Sequence, residues 1–150
     1  MIIKINNLLE KIKVFRENGK KIVFTNGCFD IIHSGHIRVF KKCRLLGDIV
    51  IVGLNSDSSV RKLKGPKRPI NNQKDRAEVV DSIRYVDYVV IFNELTPYKI
   101  IEMIKPDFLV KGGDYKKNEV VGREFAGKVV IVKMLKGRST TRIIEKILDK

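Results

Sequence analysis

The chain has 150 residues, a length typical of one domain that can bury a core of its own. Hydrophobic residues make up 43% and charged residues 32%, which excludes a disordered chain, and no apolar run is long enough to span a membrane. The net charge of +14 suggests nucleic acid, but the basic residues are scattered without tryptophan or an RNA-binding motif, so we expect no such partner.

Apolar periodicity and turn residues divide the chain into alternating helices and strands. In chain order the patterns predict a helix within 1–19, a strand at 21–25, a helix capped by Ser34 and ended by Gly47, and a strand at 48–55. A basic Gly/Pro loop over 61–70, a helix at about 72–84, a strand at 87–92 and a helix from Thr96-Pro97 to Pro106 follow. Strands at 107–111 and 128–133 precede a last helix from Ser139, whose apolar face carries Ile143, Ile144, Ile147 and Leu148.

This alternation predicts an α/β fold, a Rossmann-like doubly wound sheet of about five parallel strands with helices on both faces. We expect a single domain over 1–150, with an N-terminal helix in 1–19 and the core in 20–150. Polar residues interrupt the N-terminus too early for a signal peptide, and Cys28 and Cys43 do not form a disulfide framework. The sequence therefore indicates a cytoplasmic protein that does not bind membranes.

Ligands of such sheets bind beyond the carboxyl ends of the strands, and the first of these segments is Gly27-Cys28-Phe29-Asp30-Ile31-Ile32-His33-Ser34-Gly35-His36. Gly27 allows close backbone approach, so nearby amides can face an anion. His33 and His36 lie at a helix start that favours phosphate, where imidazole N–H groups could stabilise charge on phosphorus. The alternative is that both histidines only cap and pack.

A zinc site formed by Cys28, His33, His36 and Cys43 is disfavoured. Cys43 lies about two helical turns beyond His36 on a face that the pattern buries, so four ligands could hardly converge tetrahedrally.

Two later segments also offer phosphate ligands. Lys62, Lys64, Lys67 and Arg68 follow the second strand, where lysines on a mobile loop suit closure over a polyphosphate; a solvated basic loop is the alternative. The hydroxyls and amides of 139–141 crowd a helix start after Gly137, and a plain N-cap explains only one of the three hydroxyls.

The paired glycines of "KGGDY" (111–115) follow the fourth strand, where the segment is either an ordinary turn or part of a nucleotide pocket. No segment matches the P-loop or the dinucleotide fingerprint, so kinase and dehydrogenase activities lack their motifs.

The segment 27–36 resembles the GxFDxxHxGH signature of the cytidylyltransferase-like nucleotidyltransferases, and Ser139-Thr140-Thr141 resembles their second signature. Within that family, "GLNSDSSVRKLKGPKRPIN", "VKGGDY", "EVVGRE" and "STT" are similar to the heptose 1-phosphate adenylyltransferases. The resemblance implies transfer of AMP from ATP to a sugar 1-phosphate, with Mg²⁺ held mainly by the phosphates and no metal ligand from the protein. ATP and the sugar 1-phosphate are then the expected partners, and a homodimer is left open.

The resemblance also implies site residues. We assign catalysis to His33, His36 and Lys64. We assign nucleotide binding to Asn26, Gly27, Cys28, Phe29, Asp30, Gly113, Asp114, Gly137, Ser139, Thr140 and Thr141. We assign sugar-phosphate binding to Asn55, Asp57, Lys62, Lys67 and Arg76.

Alternatives remain open at this point. Bifunctional relatives carry a sugar-kinase domain ahead of this one, so we expect the chain to resemble the stand-alone form. The nearest rival is a cytidylyltransferase acting on glycerol 3-phosphate or another polyol phosphate; Met134, where glycerol 3-phosphate enzymes have arginine, favours the sugar. A non-catalytic nucleotide-binding module of the same fold is a further alternative, since fold alone does not establish function.

Overall fold

The computed structural model describes residues 1–133 and 139–148. Five strands are present: β1 (Ile22–Gly27), β2 (Ile49–Asn55), β3 (Tyr88–Phe92), β4 (Phe108–Gly112) and β5 (Lys128–Val132). The α-helices are α1 (Ile5–Glu17), α2 (Ser34–Leu46), α3 (Asp57–Lys64), α4 (Gln73–Asp81), α5 (Tyr98–Ile104) and α6 (Thr140–Leu148). Two short 3-10 helices, Lys117–Glu119 and Arg123–Phe125, lie between β4 and β5.

The five strands form one sheet in the order β3-β2-β1-β4-β5, and every neighbouring pair is parallel. The chain builds outward from β1 in one direction through β2 and β3, then returns to the other side of β1 with β4. The strand order therefore reverses between β1 and β4, and the carboxyl ends of these two strands mark the topological switch point.

Helices cover both faces of the sheet. Leu8 and Ile12 of α1 pack with Ile101 of α5 against one face, while Phe40 of α2 and Val80 of α4 belong to a cluster on the other. The central strands β1 and β2 are buried on both faces, so their sequences are continuous apolar runs instead of alternating ones, whereas the edge strand β5 is only partly buried. The predicted fold class is confirmed. No helix in the described part of the chain is both long and apolar enough to cross a membrane.

The prediction of a loop from residue 61 was wrong. The chain forms α3 over Asp57–Lys64, with the Ser56 hydroxyl accepting a hydrogen bond from the Ser59 amide as N-cap. The helix ends at Gly65, whose φ of +96° favours glycine. The loop begins there, so Lys62 and Lys64 are held on a helix, whereas Lys67 and Arg68 lie on the loop.

The start of α2 differs from expectation, and the apolar face of α6 is only partly buried. The N-cap of α2 is His33, not Ser34, because the His33 ring accepts a hydrogen bond from the Gly35 amide. On the apolar face that the sequence assigned to α6, Ile143 and Ile144 are half-buried, whereas Ile147 is 61% exposed and Leu148 is 75% exposed. Within the described ranges, α6 is joined to the rest of the fold by a hydrogen bond from Thr140 in its first turn.

Candidate active site

A cavity of about 460 Å³ opens at the switch point, beyond the carboxyl ends of β1 and β4. Its lining comes from the loop after β1, the start of α2, the end of α3 and the start of α6. The lining residues are Asn26, Gly27, Cys28, Phe29, Asp30, His33, His36, Asn55, Leu63, Lys64, Arg68, Leu95, Thr96, Pro97, Lys111, Tyr115, Val121, Ser139, Thr140 and Thr141. Most residues that the sequence singled out are thus brought together.

His33 and His36 form a stacked pair at the N-terminus of α2, with ring centroids 3.9 Å apart. The Gly35 amide donates to Nδ1 of His33 at 3.1 Å, and the His33 amide donates to Nδ1 of His36 at 3.3 Å. Since both Nδ1 atoms accept, the proton of each neutral imidazole lies on Nε2. The reciprocal cap therefore fixes the tautomer of both rings.

The glycine between the histidines has a steric reason. A Cβ at Gly35 would lie 2.8 Å from Cε1 of His33, inside any normal contact distance. The absence of a side chain lets the His33 ring fold back over the helix start and cap it. The same two facts, the cap and the close approach, account for the spacing His-x-Gly-His.

His36 is half-buried, and its ring meets the Phe29 ring edge-on at a centroid distance of 5.2 Å. Burial, followed by the charge of His33, lowers the pKa of His36 to about 4. His36 is therefore neutral at pH 7 and can donate a proton from Nε2 in a hydrogen bond without carrying a charge.

Asp30 holds residues 68–71, in the segment between α3 and α4, by hydrogen bonds. Its carboxylate is buried and accepts hydrogen bonds from the Ile70 amide, the Asn71 amide and Nε of Arg68, the last at 2.7 Å. Burial acts to raise the pKa of Asp30, but the hydrogen bonds from Asn71, Ile70 and Arg68 outweigh it and hold this pKa below its ordinary value. Asp30 borders the cavity as a structural anion whose oxygens are already occupied.

Arg76 lies beneath the cavity and does not line it. The guanidinium donates to the carbonyls of Cys28 (2.5 Å), Asn55 (2.9 Å) and Asn71 (3.0 Å), and pairs with Asp57 at 2.8 Å. The residue is 1% exposed. Arg76 and Asp57 were assigned from the sequence to sugar-phosphate binding. In the structure their contacts stabilise the segments after β1 and β2 from the side away from the cavity.

The basic residues after β2 separate into two groups. Lys64 ends α3 and lines the cavity, whereas Lys62 and Lys67 lie outside it. Asn55 lines the cavity, and its side-chain amide donates to the Ser59 hydroxyl at 2.9 Å. Of the lysines named from the sequence, Lys64, assigned to catalysis, borders the cavity, whereas Lys62 and Lys67, assigned to sugar-phosphate binding, do not.

The start of α6 reaches the cavity from the opposite side. The Thr140 hydroxyl donates to the Ile31 carbonyl at 2.9 Å, and the Ser139 hydroxyl accepts from the Arg142 amide as a helix cap. Ser139, Thr140 and Thr141 all line the cavity. Gly137 and Met134, which the sequence also singled out, lie outside the described residues.

The "KGGDY" segment contributes different residues from those expected. Gly113 and Asp114 do not line the cavity, whereas Lys111 and Tyr115 do. The sequence reasoning also missed the apolar wall formed by Leu63, Leu95 and Val121. The sequence did contain a pattern that pointed to Lys111: a lysine near the end of an otherwise apolar strand, directly before two glycines.

No group of three or more His, Cys, Asp or Glu side chains in the described ranges is arranged to hold a metal ion. Burial raises the pKa of the Cys28 thiol, against the pull of Lys64, Arg76 and Arg68, so this cavity thiol stays protonated. Burial also raises the pKa of Cys43, to about 12.

Comparisons with known proteins match most of the chain to a known family. The family model described as cytidylyltransferase-like matches residues 24–146. "Bifunctional protein HldE" of Wolinella succinogenes is 56% identical over 135 residues, which are 90% of this chain and 28% of that protein. The protein of the same name from Campylobacter jejuni is 51% identical over 147 residues, 98% of this chain and 32% of the relative. The chain thus spans about a third or less of the length of these relatives.

Solved structures have the same fold. The crystal structure of a lipopolysaccharide core biosynthesis protein from Thermoplasma volcanium matches with a TM-score of 0.61 at 29% identity, covering 79% of this chain and 98% of that one. A pantoate-beta-alanine ligase from Francisella tularensis matches with a TM-score of 0.62, covering 100% of this chain and 79% of that one. At 16% identity, the second match reports the fold alone.

Proposed function

The chain belongs to the cytidylyltransferase-like family, and on that premise we propose that it transfers AMP from ATP to D-glycero-D-manno-heptose 1-phosphate. The products are ADP-heptose and pyrophosphate, for the synthesis of lipopolysaccharide or another surface glycan. Nucleotidyl transfer is the family chemistry. The choice of substrates is supported by the heptose-type motifs and by the likeness to a lipopolysaccharide core biosynthesis protein.

The proposed step is in-line attack of an acceptor phosphate oxygen on the α-phosphorus of ATP. A bond forms between that oxygen and phosphorus while the bond from phosphorus to the bridging α–β oxygen breaks, and its electron pair leaves with pyrophosphate. A phosphate monoester is already an anionic nucleophile at pH 7. The protein therefore needs no strong base, and catalysis depends on positioning and charge stabilisation.

The observation that carries the proposal is the capped histidine pair. Two imidazoles whose Nδ1 atoms both accept backbone amides carry their protons on Nε2, the atoms that we propose donate to phosphate oxygens in the transition state. Because His36 is neutral at pH 7, it acts as a hydrogen-bond donor and not as a charge. Lys64 supplies positive charge from α3, and the amides and hydroxyls at the start of α6 supply further donors.

The site suits a magnesium ion that is bound by the substrate phosphates and not by protein side chains. Asp30 is the carboxylate among the described lining residues, and its oxygens are taken by Arg68 and by backbone amides. We propose that the phosphates hold the ion, which would neutralise part of their charge. The residues of this chain then orient the triphosphate and exclude water.

Pyrophosphate release with a panel of nucleoside triphosphates and sugar phosphates tests the proposal. We expect turnover with ATP and heptose 1-phosphate in the presence of Mg²⁺. Turnover with CTP and glycerol 3-phosphate instead would make the chain a polyol-phosphate cytidylyltransferase. Nucleotide binding without pyrophosphate release in any combination would make it a binding module and refute the proposal.

A further inference from the structure

A lysine in the wall of the cavity has no role in the chemistry described so far. Lys111 is the penultimate residue of β4, next to the switch point, and its side chain is half-buried. It borders the main cavity and also a second cavity of about 180 Å³ that lies behind His36. Lys111 is held on a strand and half-buried, whereas Lys64 is exposed at the end of a helix.

The glycines after Lys111 shape its surroundings. Gly113 has a φ of +138°, and a Cβ there would lie 2.7 Å from the Tyr115 ring. Without that atom, the chain turns back and places the Tyr115 ring near the lysine, with Nζ of Lys111 5.5 Å from the ring centroid. An aromatic face at this distance attracts an ammonium group and steers it, but it does not neutralise its charge.

The charge of Lys111 is not compensated by the described protein. Among the described residues no carboxylate forms an ion pair with it. Burial lowers the pKa of Lys111, and Cys28 opposes that change. A half-buried ammonium without an anion costs stability, so packing alone does not explain a lysine at this position. The missing anion is what a substrate would bring.

We infer that the Lys111 ammonium binds a phosphate oxygen of a substrate in the main cavity, an inference that rests on the proposed nucleotidyl transfer. The cavity wall at β4 then faces the phosphates from one side while Lys64 on α3 faces them from another. The phosphate belongs either to the nucleotide or to the acceptor, and kinetics with each substrate varied separately distinguish the two.

The test compares Lys111→Met, which keeps the length of the side chain and removes its charge, with Lys111→Arg and Lys128→Met. Lys128 is an exposed lysine at the first position of the neighbouring strand β5, at the amino end of the strands and away from the cavity, and serves as the matched control. We expect Lys111→Met to lower kcat/KM roughly 10- to 100-fold, the scale of one charged hydrogen bond. The loss should lie mainly in KM for the substrate whose phosphate is bound, Lys111→Arg should recover part of it, and the melting temperature should not fall.

Equal kcat/KM values for Lys111→Met and Lys128→Met, with wild type active, would overturn the inference and leave the proposed function intact. Absence of pyrophosphate release by wild type would instead refute the proposed function. In that case calorimetry with ATP and with heptose 1-phosphate still decides: weaker binding of either ligand by Lys111→Met supports the inference, and unchanged binding of both overturns it.

Discussion

The hydroxyl of Thr140 donates a hydrogen bond to the carbonyl of Ile31, at 2.9 Å, although the two residues are 109 positions apart in the chain. This contact joins the first turn of α6 to the loop that precedes the histidine pair. The N-termini of α2 and α6 therefore border one cavity from two sides. Their combined amide groups and dipoles favour a polyanion between them.

Replacing Thr140 by valine removes this hydrogen bond and keeps the shape of the side chain. We expect the KM for the nucleotide to rise about 5- to 10-fold, since one neutral hydrogen bond contributes about 1 kcal/mol. Thr140→Ser keeps the hydroxyl and should behave as wild type. A normal KM for Thr140→Val would show that the two helix starts do not depend on this contact.

The histidine pair combines a cap with a proposed catalytic role, and substitutions can separate the two. Asparagine is a good N-cap, so His33→Asn should fold normally while kcat falls at least about 100-fold, the scale of a lost electrostatic donor. His33→Ala should lose activity equally and also about 1 kcal/mol of stability. The measurements are steady-state kinetics and chemical denaturation. Near-normal turnover in His33→Asn would leave capping as the whole role of His33.

His36 should make stability depend on pH. The pKa of His36 is about 4 in the fold and about 6.5 when unfolded, so the unfolded chain binds more protons between these values. The contribution of His36 is complete above pH 6.5 and is lost as the pH falls towards 4. Between pH 7 and pH 5 we expect a loss of about 1 to 2 kcal/mol that His36→Asn lacks. Parallel denaturation curves of both proteins at the two pH values would contradict this.

Lys64 and Lys62 lie on the same helix and differ in whether they border the cavity. Lys64→Ala should lower kcat/KM at least tenfold through loss of a phosphate contact, and Lys62→Ala should stay within about twofold of wild type. Both lysines are exposed, so neither change should affect folding. Equal small effects of both substitutions would show that Lys64 is a solvated surface lysine and does not contact phosphate.

The sequence was sufficient for the features that local patterns encode. The β-branched run of β1 and the apolar run of β2 predicted buried parallel strands, and the topology then required the histidines and the Ser139–Thr141 segment to meet at one edge. The signal for α3 was present in Ser56 and Asp57 as cap and first-turn residues, but Gly65, Pro66 and the basic cluster suggested a loop.

Features that depend on distant contacts could not be predicted in this way. No local pattern distinguishes Arg76, a buried arginine, from a solvent-exposed arginine of a helix. Its carbonyl partners lie in three segments: the loop after β1, the end of β2 and the loop before α4. Lys111 ends an apolar strand, and only the fold-back of Tyr115 over Gly113 shows that the amine borders the cavity. The exposed end of α6 likewise depends on where the helix is anchored.

The bond from Arg76 to the Cys28 carbonyl determines more than the position of the loop. A trans peptide is planar and its C=O and N–H groups point in opposite directions, so a carbonyl turned toward the guanidinium turns the Phe29 amide away from it. The direction of that N–H is thus determined by a buried cation that does not line the cavity. Grafting residues 27–36 onto another parallel sheet would transfer the sequence motif. The Phe29 amide would not keep its direction unless an equivalent of Arg76 were grafted with it.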